Sequence, residues 1–183
     1  GEPNDGRYDE EEEVFSTGGV VPLMRKKMLD EIAIEGEIFD EDFVQYYEDL
    51  DLFWRANNLG WRCWFTPHAT AMHYRGATGQ SEPAVQSWVN KFAFANLPEN
   101  LQLHLLKNRY AVMRKNDSLS SWLLNLPFIL FYELKIFAYM LLVKPSLFPK
   151  YFKGFSFLKT AARKRKIIKE MALRKGITKY GKA

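Results

Sequence analysis

The hydrophobic pattern of the first part of the chain alternates between short apolar runs and helical spacing. Residues 14–33 predict a strand, a turn at two consecutive glycines, a second short strand and then a helix from about Arg25. Residues 48–59 predict a helix whose apolar residues share one face and which ends at a glycine. Residues 61–66 and 69–76 predict two further short strands. The alternation of strands and helices favours an α/β fold.

The rest of the chain has a helical pattern that becomes strongly apolar. Residues 82–116 predict two helices separated at Pro98. Residues 122–143 form an apolar stretch of 22 residues, close to the roughly 20 residues that span a bilayer. Glu133 and Lys135 lie inside this stretch, and each charge near a bilayer centre costs roughly 2.5–3.5 kcal/mol. We therefore expect a pair of helices lying in the membrane interface, with a full span as the less favoured arrangement.

Charge divides the chain into three regions. Residues 1–60 carry 17 Asp/Glu against 5 Lys/Arg, a balance of −12. Residues 61–149 carry 4 against 9, a balance of +5, and residues 150–183 carry 1 against 12, a balance of +11. Basic and apolar residues alternate over 150–182, which predicts an amphipathic anchor on anionic lipid, worth about 1 kcal/mol per basic residue near the surface. Nucleic-acid binding by the same stretch is the less favoured alternative, because no recognition motif accompanies it.

A crowded group of carboxylates occupies the predicted start of the helix over 48–59, namely Glu48, Asp49 and Asp51. Acidic residues in a first helical turn stabilise the helix by about 0.3–1 kcal/mol each, and Asp51 can pair with Arg55 four positions on. This structural role accounts for one or two carboxylates better than for three. The consecutive Gly18 and Gly19 also allow two interpretations, a plain turn or a ligand wall that the backbone approaches closely.

A resemblance to a known family is carried by three segments, "STGGVVPLMRKKML", "GEIFDEDFVQYYEDLDLFWRANNLGWRCWFTPHATAMHYRG" and "LKNRYAVMRKN". Together they resemble the C-terminal half of family-2 glycosyltransferases, and most closely the bacterial rhamnosyltransferase-like members that build cell-surface polysaccharides. The likeness covers about residues 14–116. It rests on an ordered series: a Gly-rich turn, Arg-Lys, Phe-Asp-Glu, Tyr-x-Glu-Asp-x-Asp-Leu, Gly-Trp-Arg, Pro-x-Ala and His.

The resemblance implies a fold and a division of the chain. Residues 1–80 would be the C-terminal, acceptor-binding part of a GT-A (nucleotide-diphospho-sugar transferase) domain of the α/β class. Residues 81–117 would be a helical linker that packs on it, and residues 118–183 would be apolar and basic amphipathic helices associated with the membrane. The donor-binding half would lie outside this sequence, so we expect the isolated chain to be inactive.

The resemblance also implies roles for individual residues. The general base would be Asp49, which would take a proton from the acceptor hydroxyl during an inverting transfer. The Asp49-Leu50-Asp51 run also spells the Asp-x-Asp pattern of a metal–nucleotide site, but here it opens a helix instead of ending a strand. The remaining implied site residues are Glu48 beside the base, Gly18, Gly19, Tyr47 and Asp51 for substrate, and His73 as a ligand of Mn²⁺ or Mg²⁺.

The partners implied are a nucleotide-sugar donor, a glycan or lipid-linked acceptor and an anionic membrane surface, with no nucleic acid. The location would be the cytoplasmic face of the cell membrane. A second hypothesis remains open from the residues themselves: a non-catalytic module that binds a membrane surface with its basic tail, the acidic cluster being purely structural.

Overall fold

A computed structural model of the protein describes residues 6, 9–71, 93–153, 156–178 and 180. Within these ranges the chain is mainly helical, with one small two-stranded antiparallel sheet, an arrangement compatible with part of an α/β domain. The elements in chain order are β1 (Glu12–Val14), α1 (Lys26–Ile32), α2 (Glu48–Asn58), β2 (Cys63–Phe65), a 3₁₀ turn (Ala93–Asn96), α3 (Glu99–Asn116), α4 (Leu119–Leu124), α5 (Leu126–Leu142), α6 (Leu147–Lys153) and α7 (Phe157–Arg174).

Helix α2 confirms the helix predicted from the spacing of apolar residues. It begins at Glu48 and is followed by Leu59 and then by Gly60 at φ +85°, a left-handed conformation that suits glycine after a helix. Phe53 and Leu59 were expected to pack α2 on the sheet; instead the buried face of α2 packs against α1 and α7 in one apolar core. This core comprises Met28, Ile32, Ile34, Leu52, Phe53, Ala56, Leu59, Ile168 and Ala172.

The sheet confirms the strand predicted over 61–66, which is β2, and differs from the prediction in its other strands. Strand β1 pairs with β2 with Val14 opposite Cys63, so it starts inside the acidic run and not at the apolar residues after it. Polar contacts across the sheet favour this register, since the Thr66 hydroxyl donates to Glu11 at 2.8 Å. The second strand predicted after the two glycines is absent, because residues 19–21 form a turn and bend. Residues 69–71 are not a strand either, and the rest of that predicted strand lies outside the described residues.

The apolar stretch over 122–143 is divided into two helices, as predicted. Helix α4 ends at Leu124, and α5 starts at Leu126 after the single residue Asn125. Pro127 lies in the first turn of α5, where a missing N–H does no harm. In the described part of the chain, every helix is too short or too polar to cross a membrane.

Helix α7 corrects the prediction of a separate basic anchor. It packs along α3 and places Ile168 and Ala172 in the core shared with α1 and α2. The division of the chain at residue 118 therefore does not hold for residues 157–174, which complete the core of the first region. The apolar stripe faces protein because the acid-rich segment 31–42 attracts the basic helix. The ion pairs between them are Arg163–Glu35, Lys175–Glu31 and Lys164 with Glu37, Asp40 and Asp42.

A network of buried charges joins four parts of the fold. Lys115 on α3 lies 2.8 Å from Asp51 on α2 and also pairs with Asp40. Asp40 in turn lies 2.6 Å from Lys164 on α7, and Arg55 lies 2.9 Å from Asp51. All five residues are at most 5 % exposed. Such a network is costly to desolvate, so removing one member leaves the others buried without a partner.

Replacing Lys115 by methionine should lower the free energy of unfolding by about 3–5 kcal/mol, because two buried carboxylates lose their shared cation. Urea unfolding followed by circular dichroism measures this. The matched control is Lys26→Met, since Lys26 pairs with Asp30 in a surface contact where the side chains are 86 % and 58 % exposed; we expect a change within about 0.5 kcal/mol. A loss below about 1 kcal/mol for Lys115→Met would contradict a stabilising role of the network.

Asp40 should make stability sensitive to acid. Burial raises its pKa, but the nearby cations Lys115 and Lys164 outweigh burial and lower the pKa from 3.8 to about 2. The unfolded chain therefore binds the proton more readily, so this stabilisation is present above about pH 4 and is lost as the pH falls towards 2. Between about pH 4 and pH 2, the free energy of unfolding should decrease by about 2 kcal/mol less in Asp40→Asn than in the wild type. Denaturant unfolding at several pH values measures this. If the stability of both proteins falls equally with pH, the acid sensitivity does not come from Asp40.

Candidate active site at the start of helix α2

The turn before α2 has a strained backbone. Tyr46 and Tyr47 adopt φ values of +67° and +70°, a left-handed conformation that costs roughly 1–3 kcal/mol for a residue other than glycine. The side-chain amide of Asn108 on α3 donates to the carbonyl oxygens of Gln45 and Tyr46, both at 2.8 Å, and Asn108 is fully buried. This side chain therefore holds the strained turn in place and fixes the direction in which α2 starts.

The structure brings together two residues that the sequence separates by 30 positions. The backbone N–H of Gly19 donates to Oδ2 of Asp49 at 2.9 Å, while Oδ1 accepts from the N–H of Leu50 at 2.7 Å. A Cβ atom added to Gly19 would lie 3.4 Å from Cβ of Asp49 and 3.5 Å from its Oδ2, whereas one added to Gly18 would meet nothing within 4 Å. These are ordinary van der Waals distances, so the contact with Asp49 is made by the backbone N–H of residue 19 and does not require a glycine at this position. The half-buried carboxylate of Asp49 is oriented from two directions.

Glu48 provides an acceptor atom without a donor. Its side chain is half-buried, and among the described residues nothing donates a hydrogen bond to its buried Oε2. The indole Nε1 of Trp54 is also buried and finds no acceptor there. Buried polar atoms are nearly always hydrogen-bonded in folded proteins. An uncommitted carboxylate oxygen next to Asp49 is therefore the feature expected where a polar ligand completes the contacts.

Asp51 occupies a different position from the one expected. It is fully buried, and its two oxygens are engaged by Arg55, Lys115 and Asn116, the last at 2.7 Å. It cannot contact a substrate from there, so the expected substrate-binding role is corrected to one inside the buried charge network. The physical reason is geometric: Asp49 and Asp51 are two positions apart on a helix and point about 200° apart around it.

Tyr47 packs against other side chains of the protein more than its expected substrate-binding role suggests. Its ring packs on the cluster formed by Phe43, Ala111, Val112 and Ala161. Burial raises the pKa of its hydroxyl, with the neighbouring Tyr132 adding to the rise and Arg109 opposing it. The ring therefore fills the space between α2 and α3 and does not stand open for stacking on a sugar.

A cleft of about 550 Å³ lies beside the loop that carries Gly19. It runs between that loop and β2, and Phe53 and Asn57 on α2 form part of its floor. Two indoles and five polar side chains line it, a combination that suits sugar binding: Trp61, Trp64, Thr17, Arg25, Asn57, Arg62 and Thr66.

The predicted metal ligand His73 lies outside the described residues. Among the residues that are described, no group of three or more His, Cys, Asp or Glu side chains is arranged to hold a metal ion.

The residues that support the site were missed at the level of sequence. Asn108, Lys115 and Asn116 are polar but lie on the buried side of α3. A signal was present, because they share the helical stripe of Leu101 and Val112, where apolar residues are the rule. Their partners, however, are more than 60 positions away along the chain, so the pattern alone gives no role.

Comparison with known proteins gives no match of significance, whether with family models, with curated proteins or with solved structures.

Replacing Asn108 by alanine should lower the free energy of unfolding by about 1–3 kcal/mol, since the carbonyls of Gln45 and Tyr46 lose their donor. The control is Asn100→Ala, the same substitution at an exposed position of the same helix, where a change within about 0.5 kcal/mol is expected. Thermal and urea unfolding measure both. Equal effects of the two substitutions would show that Asn108 does not hold the turn.

Proposed function

We propose that the chain is the acceptor-binding part of an inverting glycosyltransferase of the family-2, GT-A type, with Asp49 as its general base. The observation that carries the proposal is the hydrogen bond from the Gly19 N–H to Asp49. It joins two of the segments on which the family resemblance rests. The uncommitted oxygen of Glu48 beside it supports the same assignment.

The chemistry assigned to the site is a single displacement. Asp49 takes the proton from an acceptor hydroxyl while the hydroxyl oxygen forms a bond to the anomeric carbon of the donor sugar. The bond from that carbon to the nucleoside diphosphate breaks on the opposite face, so the configuration inverts. A positioned base contributes about 10²–10⁴-fold to such a rate. The N–H groups of Gly19 and Leu50 hold the carboxylate in one orientation, and Glu48 accepts a hydrogen bond from the acceptor.

The other parts of the proposal rest on the family resemblance. They are a nucleotide-diphospho-sugar donor, a glycan or lipid-linked acceptor in cell-surface polysaccharide synthesis, and location at the cytoplasmic face of the cell membrane. A divalent metal, Mn²⁺ or Mg²⁺, would neutralise the leaving diphosphate, and His73 would be one of its ligands. The cleft beside the Gly19 loop is the proposed place for the acceptor sugar, because the exposed indole ring of Trp64 can stack on an apolar sugar face.

A second candidate function is a non-catalytic module that binds a membrane surface. The exposed apolar side chains of α4 and α5 favour it, for example Leu124 and Phe128, which are 80 % and 76 % exposed. In that case the carboxylates before and within α2 serve only the helix and the buried network.

The substitution Asp49→Asn separates the two functions. In the complete gene product that contains this chain, release of nucleoside diphosphate from a panel of nucleotide sugars should fall by about 100-fold or more, because asparagine cannot take the proton. Asparagine keeps the size of the side chain but only one of the two oxygens that accept from Gly19 and Leu50, so the free energy of unfolding should fall by no more than about 1–2 kcal/mol.

The control for this experiment is Asp30→Asn, which removes an equal charge from α1 at a site where the side chain is 58 % exposed. This variant should turn over at the rate of the parent protein. Near-normal turnover of Asp49→Asn would contradict the enzyme hypothesis and favour the non-catalytic module.

A further inference from the structure

Helices α4 and α5 present large apolar side chains to solvent, a set here called the outward face. Its members are each at least 66 % exposed: Leu119, Leu124, Phe128, Phe131, Leu134 and Leu142. Within α5 the positions 128, 131, 134 and 142 follow helical spacing and therefore share one side of the helix. Exposed apolar residues are ordinary when they are scattered, but a contiguous patch marks a surface that binds something.

The outward face is distinct from the side of α5 that packs on the protein. Ile136, Tyr139 and Met140 are buried on that inner side together with Leu106 of α3. Glu133 also points inward, where it pairs with Arg109. Helix α5 is thus apolar on both sides, which is typical of a helix with a second apolar environment and not of one lying on the surface of a soluble domain.

Charge indicates what that environment is. Between residues 118 and 153, Glu133 is the only carboxylate in the sequence, and its side chain is 15 % exposed and directed inward. The outward face therefore presents no negative charge. Lys135, at the edge of the face, holds its ammonium group 5.7 Å from the Phe131 ring, and a lysine can extend from such a position to lipid head groups.

A cleft at the border of the outward face adds two guanidinium groups. It has a volume of about 390 Å³ and is lined by Leu119 and Trp122 of α4 and by Arg114 and Arg165. Arg165 donates to the backbone carbonyl of Arg114 at 3.1 Å, which keeps the two residues together. Asp117 also lines the cleft, but it is 8 % exposed and accepts the N–H of Ser118 at 2.8 Å. The guanidinium carbon of Arg165 also lies 5.1 Å from the centroid of the Tyr180 ring. Apolar surface beside two arginines matches the boundary between acyl chains and phosphate groups.

We propose that the outward face lies in the interfacial layer of a lipid bilayer and that the adjoining cleft binds the phosphate of an anionic lipid. The inference does not depend on sugar transfer. It also replaces the basic tail with α4 and α5 as the membrane contact, since the apolar stripe of α7 is already packed on the protein.

The first test is flotation of the full chain with vesicles of phosphatidylcholine, with and without phosphatidylglycerol. The double variant Phe131→Ser/Leu134→Ser should bind both kinds of vesicle at least about 10-fold more weakly, because burial of apolar surface drives the contact. A second pair on the same face, Leu124→Ser/Phe128→Ser, should behave alike. The control is Val21→Ser/Leu23→Ser, at apolar positions that are 69 % and 103 % exposed on another loop, and it should bind as the parent does.

The second test addresses the cleft. Arg114→Gln/Arg165→Gln should abolish the preference for phosphatidylglycerol while keeping binding to pure phosphatidylcholine. Lys159→Gln/Lys166→Gln removes the same charge from exposed positions of α7 outside the cleft and should keep most of the preference. Equal losses in these two variants, or equal binding of the parent to both vesicles, would overturn the lipid site.

Self-association is the competing use of the outward face. Light scattering after gel filtration should show that the parent and Phe131→Ser/Leu134→Ser have the same subunit number in a mild neutral detergent. A parent dimer that this double variant converts to a monomer, with vesicle binding unchanged, would overturn the membrane proposal.

Discussion

The fold depends on the pairing of Lys115 with Asp40 and Asp51. One ammonium group on α3 neutralises a carboxylate of α2 and a carboxylate of the acidic loop, and that loop carboxylate also binds Lys164 of α7. Each of these charges is too costly to bury alone, but together they satisfy one another. The consequence is that α2, α3, α7 and the loop have one relative arrangement. The opposite charges of the first and last regions of the sequence meet there, inside the molecule.

The same network explains why Asp49 and Asp51, both in the first turn of α2, have different surroundings. A helix turns by about 100° per residue, so residues two positions apart point in nearly opposite directions. Asp51 faces inward and fixes the helix through Arg55 and Lys115, while Asp49 faces the loop that carries Gly19. One carboxylate thus positions the helix and the other is left at its surface. The strained tyrosines just before them are held by Asn108, which lies on the same stripe of α3 as Lys115.

Short-range sequence patterns predicted those helix bounds that depend on neighbouring residues. The bounds of α2 followed from the spacing of its apolar residues and from Gly60, and Asn125 and Pro127 mark where the apolar stretch divides into two helices. The position of α7 could not be predicted, because a stripe such as Ala161, Ile168 and Ala172 has the same spacing whether it faces lipid or protein. For the candidate site, the family resemblance related Gly19 to Asp49. The inward direction of Asp51 depends on Lys115, which lies 64 positions further along the chain.

Helix α3 connects the candidate site to the outward face. On one side it supplies Asn108 to the turn before α2, and on another it packs through Leu106 against Ile136 and Met140 of α5. Because packed helices do not slide freely, α3 fixes the distance between the candidate site and the outward face. If the outward face rests in a bilayer, the height of Asp49 relative to the lipid is therefore fixed by α3 and not by a flexible tether. In the proposed transferase, a fixed height would suit an acceptor whose reactive hydroxyl is held at a constant distance from the membrane, which is a property of a lipid-linked sugar.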